Sequence, residues 1–95
     1  MSSEEKPLFL QRSRADIIAS ILENSHGGSR KTRLIYRCNL SLSQFNLYKD
    51  FLVESGLLKV SRREDGIEIY ETSEKAKIFL RDYKKIKQML NNIEL

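Results

Sequence analysis

The chain has one cysteine, one histidine, one proline and four glycines among its 95 residues. The single cysteine, Cys38, excludes an internal disulfide framework and a cysteine-based zinc site. As an isolated thiol it reads as a small core hydrophobe. The single histidine, His26, stands beside two glycines in "HGG", and no paired carboxylate or nucleophile is grouped with it. No Gly-rich phosphate loop, metal motif or nucleophile motif occurs, which argues against an enzyme and leaves no cofactor, metal or small-molecule ligand to expect. There is no apolar run of the length needed to span a bilayer. The opening "MSSEEKPLFLQRSR" begins with acids and has only three consecutive apolar residues, too few for a signal peptide. A cytoplasmic protein is the expectation. With 40% hydrophobic and 32% charged residues the chain has the balance of a folded domain, and its length allows only one.

What is present is positive charge, and it is concentrated. Residues 1–25 carry three basic and four acidic side chains, and residues 64–95 carry six basic and seven acidic, so each part is net −1. Residues 26–63 carry eight basic side chains (Arg30, Lys31, Arg33, Arg37, Lys49, Lys59, Arg62, Arg63) against Asp50 and Glu54, net +6. Such a bias is the footprint of a surface that meets a polyanion.

Local signals divide the chain. Pro7 and the charged start argue against a helix over the first dozen residues, and "PLFL" reads as an extended arm. A first helix is expected from Ser13, with Asp16 as its capping-box partner and Ile17, Ile18, Ile21 and Leu22 as its apolar stripe. "HGG" ends it. Ser29 is expected to cap a second, short helix that carries Leu34, Ile35 and Cys38 inward and stops at Asn39. A third helix starts at Ser41 with Gln44 completing an S-x-x-Q box, buries Phe45, Tyr48 and Leu52, and ends at Gly56. Helices two and three, so closely spaced, make a helix-turn-helix. In "LLKVSRREDGIEIYET" the Asp65-Gly66 pair signals a tight hairpin with positive φ at both positions, flanked by strands that point Leu58, Val60, Ile67 and Ile69 inward. A hairpin in this place is a wing. From Thr72, read as the cap, with Lys75 where an acid is preferred, no Gly or Pro interrupts a final helix. Ala76, Phe79, Tyr83, Ile86, Leu90 and Ile93 form an a/d seam along it. At about 23 residues and roughly 35 Å, that helix outreaches a domain this small. Its distal half either folds back on its own domain or pairs with a second copy, and the one-faced pattern of "KKIKQMLNNIEL" favours the second copy.

The stretch "KTRLIYRCNLSLSQFNLYKDFLVESGLL", with the hairpin and long helix after it, resembles the small archaeal winged-helix DNA-binding proteins that include the ten-kilodalton chromatin protein of hyperthermophilic archaea. Thr32, Arg33, Leu34, Ile35, Tyr36, Asn39, Leu40 and Ser41 carry the first block of the likeness, and Phe45, Tyr48, Leu52, Gly56, Leu57 and Leu58 the second. Lys49 and Lys75 depart from the pattern, which has an apolar residue and a glycine at those places. The expected fold is α+β, mostly α: an arm over 1–12, a winged helix-turn-helix over 13–72, and a C-terminal helix over 73–95, which the resemblance pairs antiparallel in a homodimeric coiled coil. The resemblance also implies a nucleoid-associated protein that binds double-stranded DNA, as a transcription regulator or a chromatin protein. The rival reading is a winged-helix protein–protein assembly module that touches no DNA.

In the DNA-binding reading the third helix enters the major groove and the wing meets the backbone. Its outward residues are Ser43, Gln44, Asn46, Leu47 and Asp50. Gln44 and Asn46 suit adenine edges, Ser43 a base or phosphate, and Leu47 a thymine methyl. Arg30, Lys31 and Thr32 at the start of helix two, Ser41 and Lys49 on helix three, and Arg62 and Arg63 in the wing complete the expected DNA-binding set. Arg33 faces either DNA or an acid of its own domain, and Tyr36 either the core rim or a phosphate. Phe79, Tyr83, Ile86, Leu90 and Ile93 are the expected dimerisation residues. Neutralising about six phosphates makes affinity fall roughly a thousandfold over a fourfold rise in salt.

Overall fold

The computed structural model describes residues 12–92. Its elements run α1 (Arg14–Glu23), β1 (Ser29–Arg30), α2 (Lys31–Cys38), α3 (Leu42–Glu54), β2 (Leu58–Arg62), β3 (Glu68–Thr72) and α4 (Glu74–Asn91). The arm expected over 1–12 lies, but for Arg12, outside the described residues. Arg12 itself donates to the carbonyls of Cys38 at 2.6 Å and Asn39 at 3.1 Å, tying the chain to the end of α2.

The caps of α1 and α3 follow the sequence signals. Ser13 Oγ accepts from the Asp16 N–H and the Asp16 carboxylate accepts from the Ser13 N–H, both at 3.1 Å. Ser41 and Gln44 repeat the arrangement at the head of α3. Asn39 stops α2 in the left-handed region, at φ 56° and ψ 54°, which its short polar side chain tolerates. One buried cluster joins the helices: Ile21 and Leu22 of α1, Leu34 and Cys38 of α2, Phe45 and Leu52 of α3, and Ala76 and Leu80 of α4.

Four local expectations are corrected. Ser29 does not cap α2. It belongs to β1, buried opposite Tyr70, and the two-residue strand is too short to leave a periodic signal. Arg30 then occupies the cap position of α2 with no side-chain hydrogen bond to it. Thr72 does not cap α4 either. It ends β3, buried, with its hydroxyl donating to the Leu22 carbonyl, while Ser73 Oγ accepts from the Ala76 N–H and caps the helix. Lys75, outside the capping position, donates to the Ser55 carbonyl at 2.8 Å. In the hairpin only Gly66 has positive φ, at 87°. Arg63 accepts from the Gly66 N–H and donates to the Ile67 carbonyl, a three-residue loop in which a type I turn precedes a left-handed glycine. The faces of the strands also differ: Tyr70, rather than Ile67 or Ile69, enters the core, edge-on to Phe45 at 5.6 Å, and Val60 opposite it stays 41% exposed.

The sheet order is β1-β3-β2, all antiparallel. A radius of gyration of 15.1 Å exceeds the roughly 12 Å of a compact domain of this size, because α4 projects. Its first half packs on the domain through Ala76, Phe79, Leu80 and Tyr83. Asp16 fixes it there: the Tyr83 hydroxyl donates to the Asp16 carboxylate, and Lys87 Nζ lies 3.4 Å from the same group. Beyond this point Ile86, Met89 and Leu90 are 55%, 67% and 56% exposed. Ile93 lies outside the described residues.

Hydrogen bonds from Tyr83 and from the Ser13 backbone, with Lys87 nearby, hold the Asp16 carboxyl at about 2, below its ordinary 3.8. Burial first, then Asp16, pushes the Tyr83 phenol up to about 12. The Asp16 contribution to stability is therefore present above about pH 4 and lost as pH falls towards 2. That of Tyr83 is present below about pH 10 and lost as pH rises towards 12. Tyr83→Phe should cost about 1–2 kcal/mol in urea unfolding at neutral pH, and Asp16→Asn should flatten the acid side of the stability profile. Unchanged midpoints in both variants contradict this clamp.

Candidate nucleic-acid interface

The site begins where β1 turns straight into α2. Extended backbone at Arg30 (ψ 158°) delivers the chain into the helix, with no acid in the first turn and no side-chain cap. The first-turn N–H groups thus offer their partial positive charge beside Arg30 and Lys31. Across from them stands the hairpin, and the two enclose a cleft of about 440 Å³ lined by Arg30, Lys31 and Thr32 on one side and Arg62, Glu68 and Tyr70 on the other. Burial, then the neighbouring Glu68 carboxylate, pushes the Tyr70 phenol up to about 12, so it stays a neutral hydrogen-bond donor at 2.8 Å from Glu68.

The cations divide into two groups. Arg62 Nη2 pairs with Glu68 at 3.0 Å and Arg63 with Asp65 at 3.1 Å, at exposed positions where such pairs are weak, and the half-buried Lys49 pairs with Asp50 at 2.8 Å. Arg62 also donates to the Gly66 carbonyl. Among the described residues, Arg30, Lys31, Arg33, Arg37 and Lys59 form no ion pair. The unneutralised positive charge therefore gathers on α2 and its lead-in more than on the wing tip. Among the described residues Arg33 pairs with no acid, and Tyr36, 82% exposed, is no core-rim residue. Arg37 Nε meets the amide oxygen of Asn24 at 3.5 Å.

On α3, Ser43, Gln44, Asn46, Leu47 and Asp50 are all exposed. Gln44 is partly committed: its Oε1 accepts from the Ser41 N–H at 2.9 Å, leaving the amide NH₂ as its outward function. Ser41 Oγ accepts from the Gln44 N–H in return. Leu47, 71% exposed, lines an apolar groove of about 380 Å³ with Phe51, Tyr48, Ile18 and Arg14. Of the expected dimerisation residues, Phe79 and Tyr83 pack against the domain's own core, while Ile86 and Leu90 stand free and Met89 extends their stripe. Met89, one helical turn before Ile93 and three residues after Ile86, was legible as part of that face but lies off the a/d seam. No group of His, Cys, Asp or Glu able to hold a metal occurs among the described residues, and no helix there is long and apolar enough to cross a membrane.

The helix-turn-helix across Asn39–Ser41 has a hairpin beside it, and a family model described as "Winged helix-turn-helix" matches residues 11–91. The chain belongs to the winged helix-turn-helix family. Its structure is similar to that of Sso10a-2, a DNA-binding protein from Sulfolobus solfataricus, with a TM-score of 0.77 and 28% identity over 85% of this chain and 84% of that one. That likeness bears out the resemblance to small archaeal winged-helix proteins. The transcriptional regulator BldR from the same organism (TM-score 0.66, 22% identity, 82% of this chain and 62% of that one) and a MepR-like protein (TM-score 0.62, 21% identity, 88% and 64%) share the fold. This chain spans less than two thirds of either. No curated protein matches it by sequence.

Because Ser41 and Gln44 cap the winged helix's third helix reciprocally, Ser41→Ala should cost about 1 kcal/mol of stability and Gln44→Ala somewhat less. Chemical denaturation checks both; no loss in Ser41→Ala contradicts the capping role.

Proposed function

We propose that this winged-helix protein binds double-stranded DNA as a homodimer, in the role of a transcription regulator or chromatin protein. The observation that carries the reading is the uncapped, acid-free start of α2, where Arg30 and Lys31 face the wing across a cleft of about 440 Å³. Backbone N–H groups at a helix start and unpaired cations are what a phosphate strand requires. Around this anchor, α3 enters the major groove. Asn46 and the Gln44 amide read base edges, Ser43 and Thr32 bond bases or phosphates, and Leu47 meets a thymine methyl. Lys49, Arg62 and Arg63 exchange their intramolecular carboxylates for phosphates on binding. The DNA-binding character of Sso10a-2 supports the same reading.

The projecting half of α4 supplies the dimer. Ile86 and Leu90, four residues apart, keep the spacing of a coiled-coil seam, and Met89 flanks it. A lone copy leaves them in water.

Affinity for a duplex should fall steeply with salt, and Arg30→Ala/Lys31→Ala should lower the log–log slope by about two. Fluorescence anisotropy across a salt series reads this. No duplex binding at low salt leaves the fold serving protein–protein assembly instead, with the apolar groove at Leu47 and Phe51 as its surface. Sedimentation of the 11.1 kDa chain should give a dimer, and Ile86→Asp/Leu90→Asp a monomer. An unchanged mass in the variant contradicts pairing through α4.

A further inference from the structure

Behind the wing-facing cleft, α2 carries a second cationic surface. The register of β1 on β3 sets Ser29 opposite Tyr70 and Arg30 opposite Ile69. Ser29 and Tyr70 are buried, and opposed residues share a face, so Arg30 and Ile69 lie on the side of the sheet turned from the core. There a second cleft, of about 530 Å³, is lined by His26, Arg30, Thr32 and Arg33 over a floor of Gly28 and Ile69. Gly28 sits at φ +96°, and a Cβ on it would stand 2.9 Å from Ile69 Cγ2, so the "HGG" turn lies close against the strand and leaves His26 exposed at the rim. Arg37 follows Arg33 one turn along α2. No carboxylate lines this cleft, and neither arginine forms an ion pair among the described residues.

The two clefts share Arg30 and Thr32. One guanidinium cannot hold two separate polyanions at contact distance without forcing their charges together. A single anionic strand passing from one cleft to the other satisfies both. Residues one turn apart on a helix are about 5–6 Å apart, comparable with one to two steps along a nucleic-acid strand at 3.4 Å of rise each. We propose that one phosphate strand of the bound duplex continues from the wing cleft around the first turn of α2 into the cleft behind it, where Arg33 takes a further phosphate, and on to Arg37 one turn beyond. This rests on the DNA-binding reading above. It moves the centre of the electrostatic contact to α2, whose cations pair with no carboxylate among the described residues, and away from the wing, whose arginines do.

The test is the salt dependence of duplex binding by the full chain, read by anisotropy at about 50–200 mM salt. Arg33→Ala/Arg37→Ala should lower the log–log slope by about two. Arg33→Gln/Arg37→Gln should do the same, with thermal midpoints unchanged because both side chains are exposed. Arg81→Ala/Lys85→Ala, which removes equal charge from α4, should leave the slope alone. An unchanged slope in the α2 variants, or an equal fall in the α4 variant, overturns the proposal. If Arg30→Ala/Lys31→Ala lowers the slope while the α2 variants do not, the DNA-binding reading survives and this extension fails. If the unchanged protein shows no salt-dependent binding, both fail.

Discussion

Thr72 is the joint on which the arrangement turns. Its N–H donates to the Ser25 carbonyl at 3.2 Å and its hydroxyl to the Leu22 carbonyl, so the last residue of β3 reaches the carbonyl end of α1. Both carbonyls also accept from N–H groups of the turn after α1, Leu22 from Ser25 and Ser25 from Gly28, so Thr72 adds second hydrogen bonds that dock β3 against that turn. One residue on, Ser73 donates to the Gly56 carbonyl at 2.7 Å and caps α4. Two adjacent hydroxyls thus bind α1, the end of α3, the wing strand and the start of α4 together. The position of the wing opposite α2, and hence the cleft between them, follows from that joint.

The same joint explains why α4 projects. Its departure is fixed at one end by Ser73 and along its first half by Leu80 in the core and the Tyr83–Asp16 hydrogen bond. Among the described residues α4 runs against α1, and α1 is only ten residues long. Past Lys87 none of the described residues covers Met89 and Leu90, and it is this exposed stripe that the proposed homodimer buries.

Much of this was legible in the sequence. The S-x-x-D and S-x-x-Q boxes, the glycines after α1 and α3 and the apolar stripes of α1–α3 are local signals, and they located those helices closely. The sheet was less legible. β1 is two residues long and exists only because Tyr70 and Ile69 are there to pair with it, a long-range fact that no periodicity carries. Misplacing Ser29 and Thr72 as caps had one cause: a buried hydroxyl in a tertiary contact looks, in sequence, like a cap. The wing strands were assigned the wrong inward face on β3 because Ile67 and Ile69 are more hydrophobic than Tyr70, yet the ring of Tyr70 fills the space beside Phe45. For the candidate site, charge concentration pointed to residues 26–63, and the structure brings Arg30, Lys31 and Arg62 of that stretch around one cleft. Which cations were already neutralised could not be read there, since Arg62–Glu68 and Arg63–Asp65 depend on the hairpin register.

A polyanion contact centred on α2, with α3 beside it, is the central claim. Amide chemical-shift mapping of the labelled protein against a duplex at low salt tests it most directly. The account predicts the largest changes over Arg30–Arg37 and Ser43–Leu47, smaller ones in the wing loop, and none along α4 beyond Ile86. Changes confined to the exposed α4 stripe or to the Leu47–Phe51 groove, or none at all, contradict it.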